Sequence, residues 1–182
     1  ERNFALYVVL SLIPAGIVGV LLQDQIEQLF NKQLMLVGIG LLVTGALLLF
    51  ADRASRGVDG LSIPKSILIG IAQAIAILPG ISRSGATIGS SILLGVNRQE
   101  AARFSFLMVI PLIFGKILLD VLSGELFSDQ INWISLGSGF IAAFIAGVLA
   151  CKLMIKIVNN SKLTYFSIYC FIVGIAAIWI GR

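Results

Sequence analysis

No histidine occurs anywhere in the 182 residues, which removes the commonest general base and the commonest metal ligand together. Charge is scarce as well: only 12% of residues are Asp, Glu, Lys or Arg, against about 25% in soluble domains. Cysteine is limited to Cys151 and Cys170, both inside apolar stretches and without metal-ligand spacing. They read as small core residues, not as a disulfide framework or a zinc set. The first residue is Glu1, and no basic, apolar and small-residue cleavage pattern precedes the first apolar block, so no signal peptide is read. What fills the chain instead is hydrocarbon, with 58% of residues apolar. The net charge of +4 does not indicate nucleic acid, because the Lys and Arg are scattered between apolar blocks, where they set membrane topology.

Those blocks run to about 17 to 20 residues, the length that crosses roughly 30 Å of hydrocarbon as helix. Spans are expected at Phe4 to Leu22, Leu34 to Ala51, Phe104 to Leu119, Ile134 to Leu153 and Leu163 to Ile180. The fold class is therefore an all-α polytopic membrane protein, with residues 1–182 as a single integral membrane domain. The stretch from Lys65 to Asn97 differs, because Pro79, Gly80, Ser82, Arg83, Ser84 and Gly85 interrupt it near the middle. Its arms, Ser66 to Leu78 and Ala86 to Val96, would each reach only about 15 to 20 Å, too short to span. A re-entrant helix hairpin at about 66–96 fits this pattern.

Charge supports the same topology. The connections Asp52 to Lys65, Asn97 to Arg103 and Lys152 to Lys162 are the basic ones and are expected to be cytoplasmic, whereas Gln23 to Gln33 and Asp120 to Asn132 are acidic or nearly neutral. The alternation closes only if Ser66 to Val96 leaves and returns on one face, with its tip toward the outer leaflet. Trp133, Tyr165 and Trp179 fall near span ends, where amphipathic rings settle. Pro14 and Pro111 each follow Ile inside a span, which reads as coincidence more readily than as a repeat. Gly139, Ala143 and Gly147 form a small-residue ridge at four-residue spacing, as do Gly85 and Gly89, and both suit close helix packing.

Chemistry concentrates in Pro79 to Thr87. Arg83 is the one basic residue placed deep in the membrane, at a cost of at least about 2.5 kcal/mol if unpaired. It calls for an anion. Pro79 and Gly80 break the helix, Gly85 admits a ligand close to the backbone, and Ser82 and Ser84 offer hydroxyls. Ser84 is expected to cap the second arm, whose N-terminus carries roughly half a positive charge, and Thr87 follows one turn later. Together these form a donor-rich cradle suited to phosphate. The bland alternative is that Arg83 pairs with a carbonyl or carboxylate of another helix while the hydroxyls merely cap. Gln73, about ten residues earlier, either meets substrate or bridges helices. The carboxylates all lie in connections or at their edges, so the chain offers no carboxylate pair for a metal or a proton.

Leu78-Pro79-Gly80-Ile81-Ser82-Arg83-Ser84-Gly85-Ala86-Thr87-Ile88 closely resembles the second signature of the undecaprenyl-diphosphate phosphatases, the bacitracin-resistance family. The likeness extends to Gly95-Val96-Asn97-Arg98, to Ala102-Arg103-Phe104-Ser105-Phe106-Leu107 with Pro111 beyond, and to Ile13-Pro14 before. It implies removal of the terminal phosphate from a C55 isoprenyl diphosphate in the bacterial plasma membrane, recycling the lipid carrier of cell-wall synthesis. It also implies a bundle of two inverted halves with the site open to the outer side, this chain supplying the second half. On that resemblance Arg83, Ser82 and Thr87 are the catalytic residues, Ser84, Gly85 and Gly80 bind phosphate, and Gln73 stands behind them. A divalent cation, Mg or Ca, is implied, with no ligand in this chain. The family's first signature, a glutamate-rich hairpin ending in Ser-Ser-Thr-Gly-His, is missing, and with it the histidine nucleophile. The chain is therefore expected to be an incomplete, inactive portion. The alternative class is a transporter or lipid flippase with a broken-helix anion site, and a homodimer is left open.

Overall fold

The polar interruptions in the sequence become helix ends in the computed structural model, which describes residues 2–22, 25, 34–54, 57–122, 133–159 and 163–181. Among these residues the chain forms α1 (Arg2–Leu21), α2 (Leu34–Arg53), α3 (Ile63–Ile75), α4 (Arg83–Leu93), α5 (Arg98–Leu122), α6 (Trp133–Asn159) and α7 (Leu163–Ile180). Four segments are long and apolar enough to cross a membrane: Phe4–Leu21, Leu34–Arg53, Ile134–Val158 and Leu163–Ile180. The expected fifth span lies inside α5, whose 25 residues reach about 37 Å at the helical rise. The structure is an all-helical, multi-pass bundle whose outer faces expose Ile17, Val20, Phe114, Phe140 and Ile172, as lipid contact requires.

Helices α2 and α7 make the most extensive contact. Glycine allows it: a Cβ on Gly38 would lie 2.7 Å from the Gly174 carbonyl oxygen, and one on Gly174 would lie 2.9 Å from that of Gly38. The Ser167 hydroxyl then donates to the Gly45 carbonyl at 2.6 Å, an interhelical bond of the kind that holds membrane bundles when apolar burial supplies no bias. Helices α1 and α3 approach equally closely where Gly70 meets the Ser11 backbone. Gly85 and Gly89 put the α4 ridge against Thr44 and Leu47 of α2, so that small-residue stripe does pack. The one on α6 does not. Nothing lies within 4 Å of a Cβ built on Gly139 or Gly147, and α6 is exposed along residues 134–153. Cys170 is buried as expected, but Cys151 is exposed on α6, because an apolar stretch facing lipid reads the same as one facing protein.

The hairpin is re-entrant by direct connection of its two ends. The Asp59 amide donates to the Gly95 carbonyl at 3.2 Å, and the Asn97 amide donates to the Asp59 carbonyl at 3.3 Å, so the chain enters and leaves at one place. Gly95 takes φ +83 there, a left-handed turn that glycine adopts without strain. Asn97 caps α5 by accepting from the Glu100 amide at 2.8 Å. Beside this junction Asp52, at the end of α2, pairs with Arg98 of α5 at 3.1 Å and accepts from the backbone of Leu163 and Thr164 at the start of α7. The three basic connections thus share one end of the bundle. The two near-neutral connections and the Trp133 side chain lie largely outside the described residues, while Tyr165 and Trp179 are exposed. The arms end three residues earlier than expected, at Ile75 and Leu93.

Candidate functional site

Between α3 and α4, residues 76–82 form the break, and their course is fixed by α2. Gly80 has φ +85, and any Cβ there would strike the Val37 backbone. Gly40 makes the matching concession, since a Cβ on it would sit 2.6 Å from the Pro79 oxygen. The Ser82 amide then donates to the Thr44 hydroxyl at 3.0 Å, and that hydroxyl donates to the Gly40 carbonyl at 3.0 Å. Thr44 lies midway along α2, so Ser82 stands at the middle depth of the bundle and Pro79–Gly80 in the half remote from the basic end.

The N-cap of α4 is Ser82, not Ser84. Its hydroxyl accepts from the Gly85 amide at 3.1 Å while its backbone is still extended, the geometry that satisfies a first-turn amide. The amides of Arg83 and Ser84 find no acceptor among the described residues, leaving the positive helix end with two open donors. The Ser84 hydroxyl lies 3.4 Å from that of Ser82.

Arg83 is half-buried and its Nη2 donates to Gln73 Oε1 at 2.7 Å. Its Nε and the Gln73 Nε2 are buried without a partner. No carboxylate pairs with it among the described residues, where the only ion pairs are Lys65–Asp59 and Arg98–Asp52. Of the two partners the bland alternative allowed, a carbonyl or a carboxylate of another helix, the fold supplies a carbonyl oxygen, that of the Gln73 side chain on α3. Thr87 is held elsewhere: its hydroxyl donates back to the Arg83 carbonyl at 3.0 Å and lies 2.6 Å from the hydroxyl of Ser105 on α5, with the residue 1% exposed. It locks α4 to α5. Ser105 and Thr44 are the residues that sequence reasoning passed over. The available signal was that Thr44 is the lone hydroxyl of its span.

A cavity of about 610 Å³ opens between α1, α3, α4 and α5. Among the described residues Gln73 and Arg83 are its only polar lining residues, and Leu12, Gly16, Gly19 and Pro111 lie among the rest. Gly16 and Gly19 have nothing within 4 Å of a built Cβ, so the space exists because those side chains are missing. A half-buried cation, unsaturated donors and an apolar wall together suit an amphiphilic anion.

The model of the family described as Bacitracin resistance protein BacA matches residues 1–176. The chain belongs to this family. Relatives in the bacitracin resistance family include the undecaprenyl-diphosphatase of Christiangramia forsetii, 53% identical over 178 residues, which cover 98% of this chain and 67% of that protein. The undecaprenyl-diphosphatase of Bacteroides fragilis is 48% identical, with 100% of this chain and 70% of the relative covered. That of Methanosphaera stadtmanae is 41% identical, covering 98% and 64%.

A divalent cation does not fit the residues gathered here. Among the described residues no three His, Cys, Asp or Glu come together, and the guanidinium beside Gln73 repels a cation. The described carboxylates Asp52, Asp59 and Glu100 sit at the basic end, far along the bundle from Arg83.

Proposed function

We propose that the protein is an integral membrane phosphatase that removes the terminal phosphate of undecaprenyl diphosphate. The observation that carries this reading is Arg83, a cation at mid-depth with one neutral partner and no counter-ion among the described residues, at the wall of an apolar cavity, in a chain of a family whose relatives bear that activity in their names. The guanidinium and the open amides of Arg83 and Ser84 bind the phosphoryl oxygens and neutralise charge as it moves toward the leaving group. Ser82 and Ser84 line the same helix end, Gly85 and Gly80 keep the backbone close, and Thr87 positions α4 through Ser105. The residues at this cavity hold the electrophile. The chain has no histidine, and no described carboxylate lies near enough to act as base.

Orientation follows from charge. Arg53, Lys65, Arg98, Arg103, Lys152 and Lys156 cluster at the end where the hairpin is anchored, so that end faces the cytoplasm and the site opens outward. Phosphate release from undecaprenyl diphosphate by the purified full-length protein in proteoliposomes tests the proposal. Release by the parent and its loss in Arg83→Ala support it. Movement of intact lipid across the vesicle without phosphate release would establish a flippase instead.

A further inference from the structure

Among the described residues Gln73 is a buried group whose polar atoms the fold leaves only half explained. It is 2% exposed, sits on α3 below the break, and lines the same cavity as Arg83. Its amide orientation is dictated by chemistry. An arginine only donates, so the atom 2.7 Å from Arg83 Nη2 must be the Gln73 oxygen, and the nitrogen is necessarily the other atom. That nitrogen has no acceptor among the described residues. Leaving a buried amide N–H unsatisfied is costly, and no oxygen among the described residues accepts from it on the side where the cavity lies.

We infer that Gln73 is a second anion ligand of the site: its oxygen holds the Arg83 guanidinium in place while its N–H group donates to a phosphoryl oxygen of the diphosphate. This deepens the phosphatase reading and rests on it for the identity of the substrate, though the anion contact itself does not. The amide is suited to the role because it is neutral. A carboxylate of the same size would accept from Arg83 equally well, yet it would cancel the charge that attracts the anion and present an acceptor where a donor is needed.

The substitutions Gln73→Glu and Gln73→Met separate these functions in the intact membrane-embedded protein. Three readouts are taken: KM and kcat for undecaprenyl diphosphate, the inhibition constant of inorganic pyrophosphate, and the melting temperature with and without pyrophosphate. Loss of a hydrogen bond to a charged ligand is expected to raise KM and the pyrophosphate constant about tenfold in Gln73→Met. In Gln73→Glu the rise is about a hundredfold or more, because repulsion is added. The pyrophosphate-induced rise in melting temperature should vanish in Gln73→Glu while its ligand-free melting temperature stays near that of the parent. A residue that merely bridges helices predicts the reverse: lower melting temperatures in both variants with KM, inhibition and the pyrophosphate shift intact, and that result overturns the inference. If the parent releases no phosphate from lipid, the phosphatase reading fails, but the pyrophosphate shift still decides the role of Gln73. No shift in the parent, or an equal shift in parent and Gln73→Glu, overturns it.

Discussion

Two arginines, neither of them exposed, keep opposite company. Arg98, at the basic end, donates to the Asp52 carboxylate at 3.1 Å and to the backbone oxygens of Ala51 and Asp52, while the same carboxylate accepts from the α7 backbone and from the Thr164 hydroxyl at 2.6 Å. Arg83, halfway down, has a neutral amide. The first arrangement balances its charge and ties α2, α5 and α7 together. The second leaves a positive surplus in a cavity. Charge balance distinguishes a strut from a receptor, and neither burial nor residue type alone would have done so.

The largest expected effect breaks the receptor. Arg83→Ala should lower phosphate release by about a thousandfold, the scale of losing a preorganised charge donor, with the melting temperature lowered only modestly, since its one side-chain bond to another helix goes to the neutral amide of Gln73. Next comes the strut. Asp52→Ala leaves Arg98 buried without its counter-charge and should cost about 3 to 5 kcal/mol of stability, seen as a large drop in melting temperature with residual activity proportional to the folded fraction. Replacing Asp52 and Arg98 together by apolar residues should recover much of that loss. A third, smaller effect tests how the break is held: Gly80→Ala meets both a left-handed φ and the Val37 backbone, and should destabilise by about 1 to 3 kcal/mol while lowering activity, because the tip must lift away from α2. Smallest is Thr44→Val, which removes the acceptor of the Ser82 amide. About 1 kcal/mol is expected, read as a modest rise in KM because the α4 N-terminus loses its fixed height.

Both arginines were visible in the sequence, and so was the difference in their depth, since Pro79 and Gly80 mark the break and Asn97 marks the end of the second arm. The spans were legible because hydrocarbon thickness sets their length. What escaped was partnership. Ser82 took the cap from Ser84 because cap assignment turns on one residue's ψ angle, which no spacing reveals. Thr44 and Ser105 reach the motif from positions 38 and 18 residues away in sequence, contacts that only the tertiary fold creates. Cys151 and the ridge Gly139–Ala143–Gly147 misled for a related reason. In lipid the outside of a helix is as apolar as its inside, so composition marks a span without marking its buried face.

The bond between Asp59 and Gly95, with its return through Asn97, has a consequence for biogenesis. Because entry and exit are stitched together at one surface, no hydrophilic loop between the arms has to be translocated. Only the short tip descends, and it stops partway, with Arg83 as its single charged passenger.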